Sequence, residues 1–202
     1  MLVTDDALLA GRDLVQVVRA AERGGVTAVQ LRLKRATGRE LVEATRALVA
    51  ALGIPVLVND RLDVALAGRA AGVHLGPDDL AIALARRIVP PSFIVGASAG
   101  NSVEAKAART ADYWGVGPWR ASGTKPDAGA ALGAEGFRGL VEAASGIPCV
   151  AIGGIRPEDV AAVKLAGGAG VAVVSGILGA SDVEAAAREY SNRVTVHRSR
   201  FS

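Results

Sequence analysis

Thr27-Ala-Val-Gln-Leu-Arg-Leu-Lys34 and Ile54-Pro-Val-Leu-Val-Asn-Asp60, separated by a helix-like stretch over residues 38–52 that Gly53 stops, decide how this chain is read. Both runs are short, largely apolar and bounded by small or polar residues, as strands are. The connection between them is long enough for one helix, so the two strands pair in parallel.

The same unit recurs on either side. Leu2-Val-Thr4 is a very short first strand, and a helical pattern over residues 13–23 follows it and ends at Gly24-Gly25. Beyond Asp60 come a helix over 62–69, the strand Gly72-Val-His-Leu-Gly76, a helix over 79–87, the strand Phe93-Ile-Val-Gly-Ala-Ser98 and a helix over 102–109. A strand over 113–116 enters a long loop, Gly117 to Gly129, which bears Arg120, Ser122, Thr124 and Lys125. Then follow a helix over 135–144, Pro148-Cys-Val-Ala-Ile152, a helix from Pro157, Gly170-Val-Ala-Val-Val174 and a helix over 182–190. Eight strand-plus-helix units predict an α/β fold, a (β/α)8 TIM barrel in one minimal domain over residues 1–190, with 191–202 as a polar tail. A doubly wound open sheet is the competing architecture, but it leaves edges that closure removes.

Composition narrows the function. Half of the 202 residues are hydrophobic and only 3% are aromatic, which suits helices packed closely on a parallel sheet. A net charge of +3, from 23 Lys+Arg against 20 Asp+Glu, is dispersed along helices and argues for no nucleic acid. The single cysteine, Cys149, excludes a disulfide framework or a cysteine-cluster metal site and reads as a core thiol. No run reaches the ~18 to 20 apolar residues of a membrane span, and the start of the chain lacks a signal pattern. The expectation is a cytoplasmic protein without a membrane partner. An apolar helix face is compatible with a homodimer.

In such a barrel the loops after the strands gather on one face. Gln30, Arg32 and Lys34 alternate with Leu31 and Leu33, so the polar row faces the interior and its mouth while the leucines meet helices. Buried cations call for an anion, and phosphate or pyrophosphate fits; pairing to Asp60 or a solvent-facing row is the plainer account. Asp60 ends the third strand and Asp79 opens the fourth helix. Together they suit one Mg²⁺ that also bridges to substrate phosphates, although Asp79 serves equally as a helix N-cap and Asp78 competes for either role. Asn59 joins this set only if the chain twists locally. His74 reads as a core or supporting histidine as readily as a catalytic one. Ile152-Gly-Gly-Ile155 and Val174-Ser-Gly-Ile177 follow the seventh and eighth strands, where backbone N–H groups hold a phosphate in many such barrels. Two anion sites on one mouth point to a reaction that joins two phosphorylated small molecules, or to one substrate with two phosphates.

Leu2-Val-Thr-Asp5, Gln30-Leu-Arg-Leu-Lys34, Asn59-Asp-Arg-Leu-Asp-Val-Ala65, Gly72-Val-His-Leu-Gly76 with Asp79, Gly115-Val-Gly-Pro118, Thr124-Lys-Pro126 and Ala151-Ile-Gly-Gly-Ile155 resemble, in order, the motifs of the thiamine phosphate synthase family. The resemblance implies a transferase of thiamine biosynthesis. Such an enzyme couples 4-amino-5-hydroxymethyl-2-methylpyrimidine diphosphate to 4-methyl-5-(2-phosphooxyethyl)thiazole, with Mg²⁺ as cofactor and pyrophosphate as leaving group. It assigns Arg32, Lys34, Asn59 and Lys125 to pyrophosphate, and Asp60 and Asp79 to the metal. Gln30, Ser98, Ser122 and Thr124 fall around the pyrimidine and leaving group, and Gly154, Val174 and Ser175 at the thiazole phosphate. Arg32, Lys34, Ser98 and Lys125 are thereby the catalytic set, and the loop over 119–124 a lid. Pro77, Gly100-Asn101 and Ala121-Ser122 depart from the family pattern. Two other readings are a thiazole tautomerase, which in its family uses a histidine near position 100 that this chain lacks, and a non-catalytic barrel that binds a phosphate ligand.

Overall fold

The structure, a computed structural model, describes residues 1–121 and 129–196. Eight strands, β1 (Leu2–Val3), β2 (Val29–Leu31), β3 (Val56–Asn59), β4 (Gly72–Leu75), β5 (Ile94–Ser98), β6 (Tyr113–Val116), β7 (Cys149–Ala151) and β8 (Gly170–Val171), lie side by side in chain order. Each neighbouring pair is parallel. The ring closes where Leu2 bridges Val173, with the Val3 N–H donating to the Val173 carbonyl at 3.0 Å and the Val173 N–H to the Met1 carbonyl at 3.1 Å. This is the expected (β/α)8 barrel.

Helices alternate with the strands: α1 (Asp6–Leu9), α2 (Leu14–Arg23), α3 (Gly38–Ala51), α4 (Leu62–Gly68), α5 (Ile82–Ile88), α6 (Ser102–Ala107), α7 (Gly133–Ala144), α8 (Asp159–Leu165), α9 (Ser175–Leu178) and α10 (Val183–Val196). Their starts follow local chemistry. Asp13 accepts from the Gln16 N–H ahead of α2, and Thr37 with Glu40 forms a reciprocal capping box on α3. Between helices and barrel lie Val29, Leu31, Val56, Val58, Val73, Leu75, Val95 and Trp114, all buried. Cys149 is buried there too, and its thiol is pushed up to about 11 by burial, as a core thiol should be.

The inside of the barrel is filled by pairing large residues with glycine. A Cβ on Gly96 would lie 2.2 Å from the Tyr113 ring, and one on Gly115 would lie 2.9 Å from the His74 ring. The space those glycines leave is occupied by the two rings, so the lower barrel is a packed core rather than a pore.

Several elements differ from the sequence reading. The second strand stops at Leu31, because Thr4 grips the next residue twice: its hydroxyl accepts from the Arg32 N–H at 2.8 Å and donates to the Arg32 carbonyl at 3.1 Å. Short helices α1 and α9, each four residues, occupy loops at the barrel mouth. The last helix carries past Tyr190 to Val196, and the Ser191 hydroxyl within it donates to the Gly24 carbonyl at 2.8 Å. Among the described residues no helix is long and apolar enough to cross a membrane.

Candidate active site

The decisive local feature is at Asp60. Its N–H donates to the His74 carbonyl at 2.8 Å, continuing the sheet, but its φ of +64° is left-handed. An aspartate tolerates this conformation better than most residues, at some cost. The turn supplies the twist that lets Asn59 and Asp60, consecutive in sequence, both serve the mouth. Asn59 accepts from the buried Gln30 amide at 2.6 Å, while Asp60 turns toward Asp79.

Asp79 does not cap a helix. Helix α5 begins three residues later, at Ile82, with no side-chain cap, and Asp79 instead accepts from the Gly76 N–H at 2.7 Å in the turn after β4. That turn aims its carboxylate at Asp60. Burial, then a shared hydrogen bond and repulsion from Asp79, push the Asp60 carboxyl up to about 6, against the opposing pull of Lys34 and Arg32. Two acids are thus held face to face with two cations within electrostatic reach. Among the described residues no group of three or more His, Cys, Asp or Glu side chains is placed to cage a metal. A facing carboxylate pair is still what a largely hydrated Mg²⁺ needs.

Arg32 and Lys34 lie beyond the end of β2, so strict strand alternation does not place them. Arg32 Nη1 sits 3.2 Å from Asp5 Oδ2, both side chains largely buried, and the Lys34 N–H donates to Asp6 at 2.7 Å while its side chain is exposed. The acids that follow the first strand therefore shape this corner. Deeper in, Ser98 Oγ lies 3.2 Å from His74 Nε2, and His74 Nδ1 lies 2.9 Å from the Tyr113 hydroxyl. His74 is a supporting residue between a predicted substrate-binding serine and the packed core.

The opposite side of the mouth is made of backbone. Gly153 and Gly154 take φ of +92° and +65°, and Cβ atoms there would lie 2.7 Å from Pro118 and 2.9 Å from Arg120. Val174 precedes α9 and Ser175 opens it, its side chain exposed. The Tyr190 hydroxyl donates to the Ile155 carbonyl at 3.0 Å, tying the glycine loop to α10.

Trp119 is not a cover that swings over the site. It is buried, packed edge-on against Phe137 with ring centres 5.6 Å apart, and its N–H donates to the Ile152 carbonyl at 2.8 Å. Ser122, Thr124 and Lys125 lie outside the described residues.

A family model described as thiamine monophosphate synthase matches residues 1–177. The chain belongs to that family. The thiamine-phosphate synthase of Xanthobacter autotrophicus is 52% identical over 202 residues, covering 98% of this chain and 95% of that protein. That of Azorhizobium caulinodans is 48% identical over 202 residues with the same coverage. Among solved structures, thiamine phosphate pyrophosphorylase from Pyrococcus furiosus superposes with a TM-score of 0.85 at 38% identity, over 96% of this chain and 95% of that one. The chain is an enzyme of the thiamine-phosphate synthase type.

Within this family frame, three contributors were not assigned a site role from sequence. Asp5 pairs with Arg32, Tyr113 holds His74, and Asp159 receives Arg120. Asp5 carried a signal, since it follows the first strand. Tyr113 and Asp159 carried none, because their partners lie 39 residues away in each case.

Proposed function

We propose that this chain joins 4-amino-5-hydroxymethyl-2-methylpyrimidine diphosphate to 4-methyl-5-(2-phosphooxyethyl)thiazole, forming thiamine phosphate and releasing pyrophosphate. The observation that carries the reading is the facing pair Asp60 and Asp79, where burial and then the contact with Asp79 raise Asp60 to about 6, with Arg32 and Lys34 beside it. Such a pair is unfavourable in the empty protein and becomes favourable around a divalent cation. Asp60 and Asp79 would hold Mg²⁺, which when bound supplies positive charge to the departing pyrophosphate oxygens.

Arg32, Lys34 and Lys125 bind the same oxygens and stabilise the charge that grows on them as the bond to the methylene carbon breaks. Asn59 adds a polar contact on this side. Gln30, its amide already oriented by Asn59, lies against the pyrimidine, and Ser98 meets the leaving group or the ring with its hydroxyl set by His74. Ser122 and Thr124 complete that end. The aminopyrimidine is electron-rich and can carry positive charge at its methylene carbon, so departure precedes attack by the thiazole nitrogen. No protein nucleophile is needed, and excluding water protects the cation. Gly154, Val174 and Ser175 take the thiazole phosphate, as the loops after strands seven and eight do in many such barrels. Both substrates are phosphorylated and membrane-impermeant, which favours the cytoplasm as the working compartment.

The test mixes both precursors with the chain, with and without Mg²⁺, and follows thiamine phosphate and pyrophosphate together. Equal amounts of both products, dependent on Mg²⁺ and lost in Asp60→Ala and Asp79→Ala proteins that still fold, are expected. Undiminished Mg²⁺-dependent coupling in the double variant would remove the metal site.

A further inference from the structure

Asp159, the first residue of α8, has no place in the chemistry above, yet its side chain is only 6% exposed. Its Oδ2 accepts from Arg120 Nε at 3.1 Å and from the Arg156 N–H at 2.9 Å, and its Oδ1 accepts from Arg120 Nη2. These donors come from two loops: Arg120 follows β6, whereas Arg156 lies just beyond the glycine pair that follows β7.

The same loops are joined through the main chain. The Trp119 N–H donates to the Ile152 carbonyl at 2.8 Å and the Arg120 N–H to the Gly153 carbonyl at 2.9 Å. The contact is so close that neither Gly153 nor Gly154 has room for a Cβ. A buried carboxylate that takes a two-point guanidinium contact from one loop and an amide from the other adds a side-chain clamp to these main-chain bonds.

We infer that Asp159 is a positioning residue that locks the loop after β6 to the loop after β7 and thereby sets the distance between the two substrate pockets. The inference rests on the reading that the side around β2 to β4 holds the pyrophosphate and the loop after β7, which the clamp ties down, takes the thiazole phosphate. Each pocket keeps its own contacts when the lock is lost, but the thiazole nitrogen and the methylene carbon no longer meet at the right separation.

The experiment compares the unaltered chain with Asp159→Asn, which keeps size but loses charge, with Arg120→Ala, and with the double variant, which leaves no buried charge unpaired, each first shown to be folded by circular dichroism. Expected in all three is a fall in kcat of up to ~100-fold per folded molecule, the size of effect that a misplacement of about 1 Å produces, with KM for either substrate little changed. In the substrate-free proteins, hydrogen exchange at the Trp119 and Arg120 amides should speed up while the β3 amides stay protected. Unchanged kcat in all three variants, or unchanged exchange at those amides, would overturn the inference. If the unaltered chain fails to join the precursors while the amides still lose protection in all three variants, the functional reading fails and the lock stands.

Discussion

The two sides of the barrel mouth are built on opposite principles. Around β2 to β4 the site is made of charged side chains: Arg32 against Asp5, and Asp60 against Asp79 with Lys34 nearby. Around β6 to β8 it is made of main chain, with Gly153 and Gly154 fitted under Pro118 and Arg120 and clamped by Asp159. The first side carries like-charge repulsion between Asp60 and Asp79, opposed by Lys34 and Arg32, which costs stability and which, under the proposed function, Mg²⁺ would relieve. Among the described residues the second is closely fitted, with Arg120 paired to Asp159, so it stabilises the fold and offers mainly shape and backbone donors. A substitution on the first should therefore separate activity from stability, and one on the second should move both together.

Asp79→Asn tests that contrast most strongly. Removing the charge that faces Asp60 should lower turnover by ~10²- to 10³-fold, the scale for losing one group that stabilises transition-state charge. The same change should raise the melting temperature of the metal-free protein at pH 7. A loss of both activity and stability would break the comparison.

Gly154→Ala probes the other side. Its φ of +65° disfavours an L side chain and the new Cβ would press on Arg120, so chemical denaturation should show a loss of ~1–3 kcal/mol. A weaker grip on the thiazole phosphate, read as a higher KM, should accompany it.

A pH series sharpens the role of Asp159. Desolvation raises its carboxyl, but the hydrogen bonds from Arg120 and the Arg156 N–H outweigh this and hold it below the ordinary carboxylate range. A depressed folded-state value contributes stability that is present above the unfolded value, near 4, and fades as pH falls through the folded value. The stability gap between the unaltered chain and Asp159→Asn should therefore be widest at neutral pH and shrink below about pH 4. A constant gap from pH 3 to 7 would assign the clamp to something other than charge.

The smallest effect is expected at Tyr113→Phe. It removes one hydrogen bond to His74 and leaves the ring that fills the space beside Gly96, so stability should fall by about 1 kcal/mol and kcat by less than tenfold. A larger kcat loss would mean that the Tyr113, His74 and Ser98 line orients substrate directly.

Much of this was legible in the chain. The repeated apolar run, glycine or proline stop and helical stretch identify eight units, because hydrophobic period and turn residues are local properties. The placement of Gln30, Asn59, Asp60, Asp79 and Ser98 near strand ends follows from that order. Less legible was how each side chain turns. Strand alternation runs Gln30, Arg32 and Lys34 along one face, yet β2 ends at Leu31 because Thr4, distant in sequence, bends the chain at Arg32. Asp79 reads as a cap by its neighbours and is a turn residue by its contact with Gly76.

By itself the sequence determined the order of the elements, the closed barrel they imply and the end at which polar residues collect, since all three rest on patterns within a few residues. Only the tertiary structure decided which charges face each other. The left-handed turn at Asp60, the pairing of Arg32 with Asp5 and the burial of Asp159 between two loops depend on contacts across the barrel mouth. No periodicity encodes a partner that closure of the ring brings near.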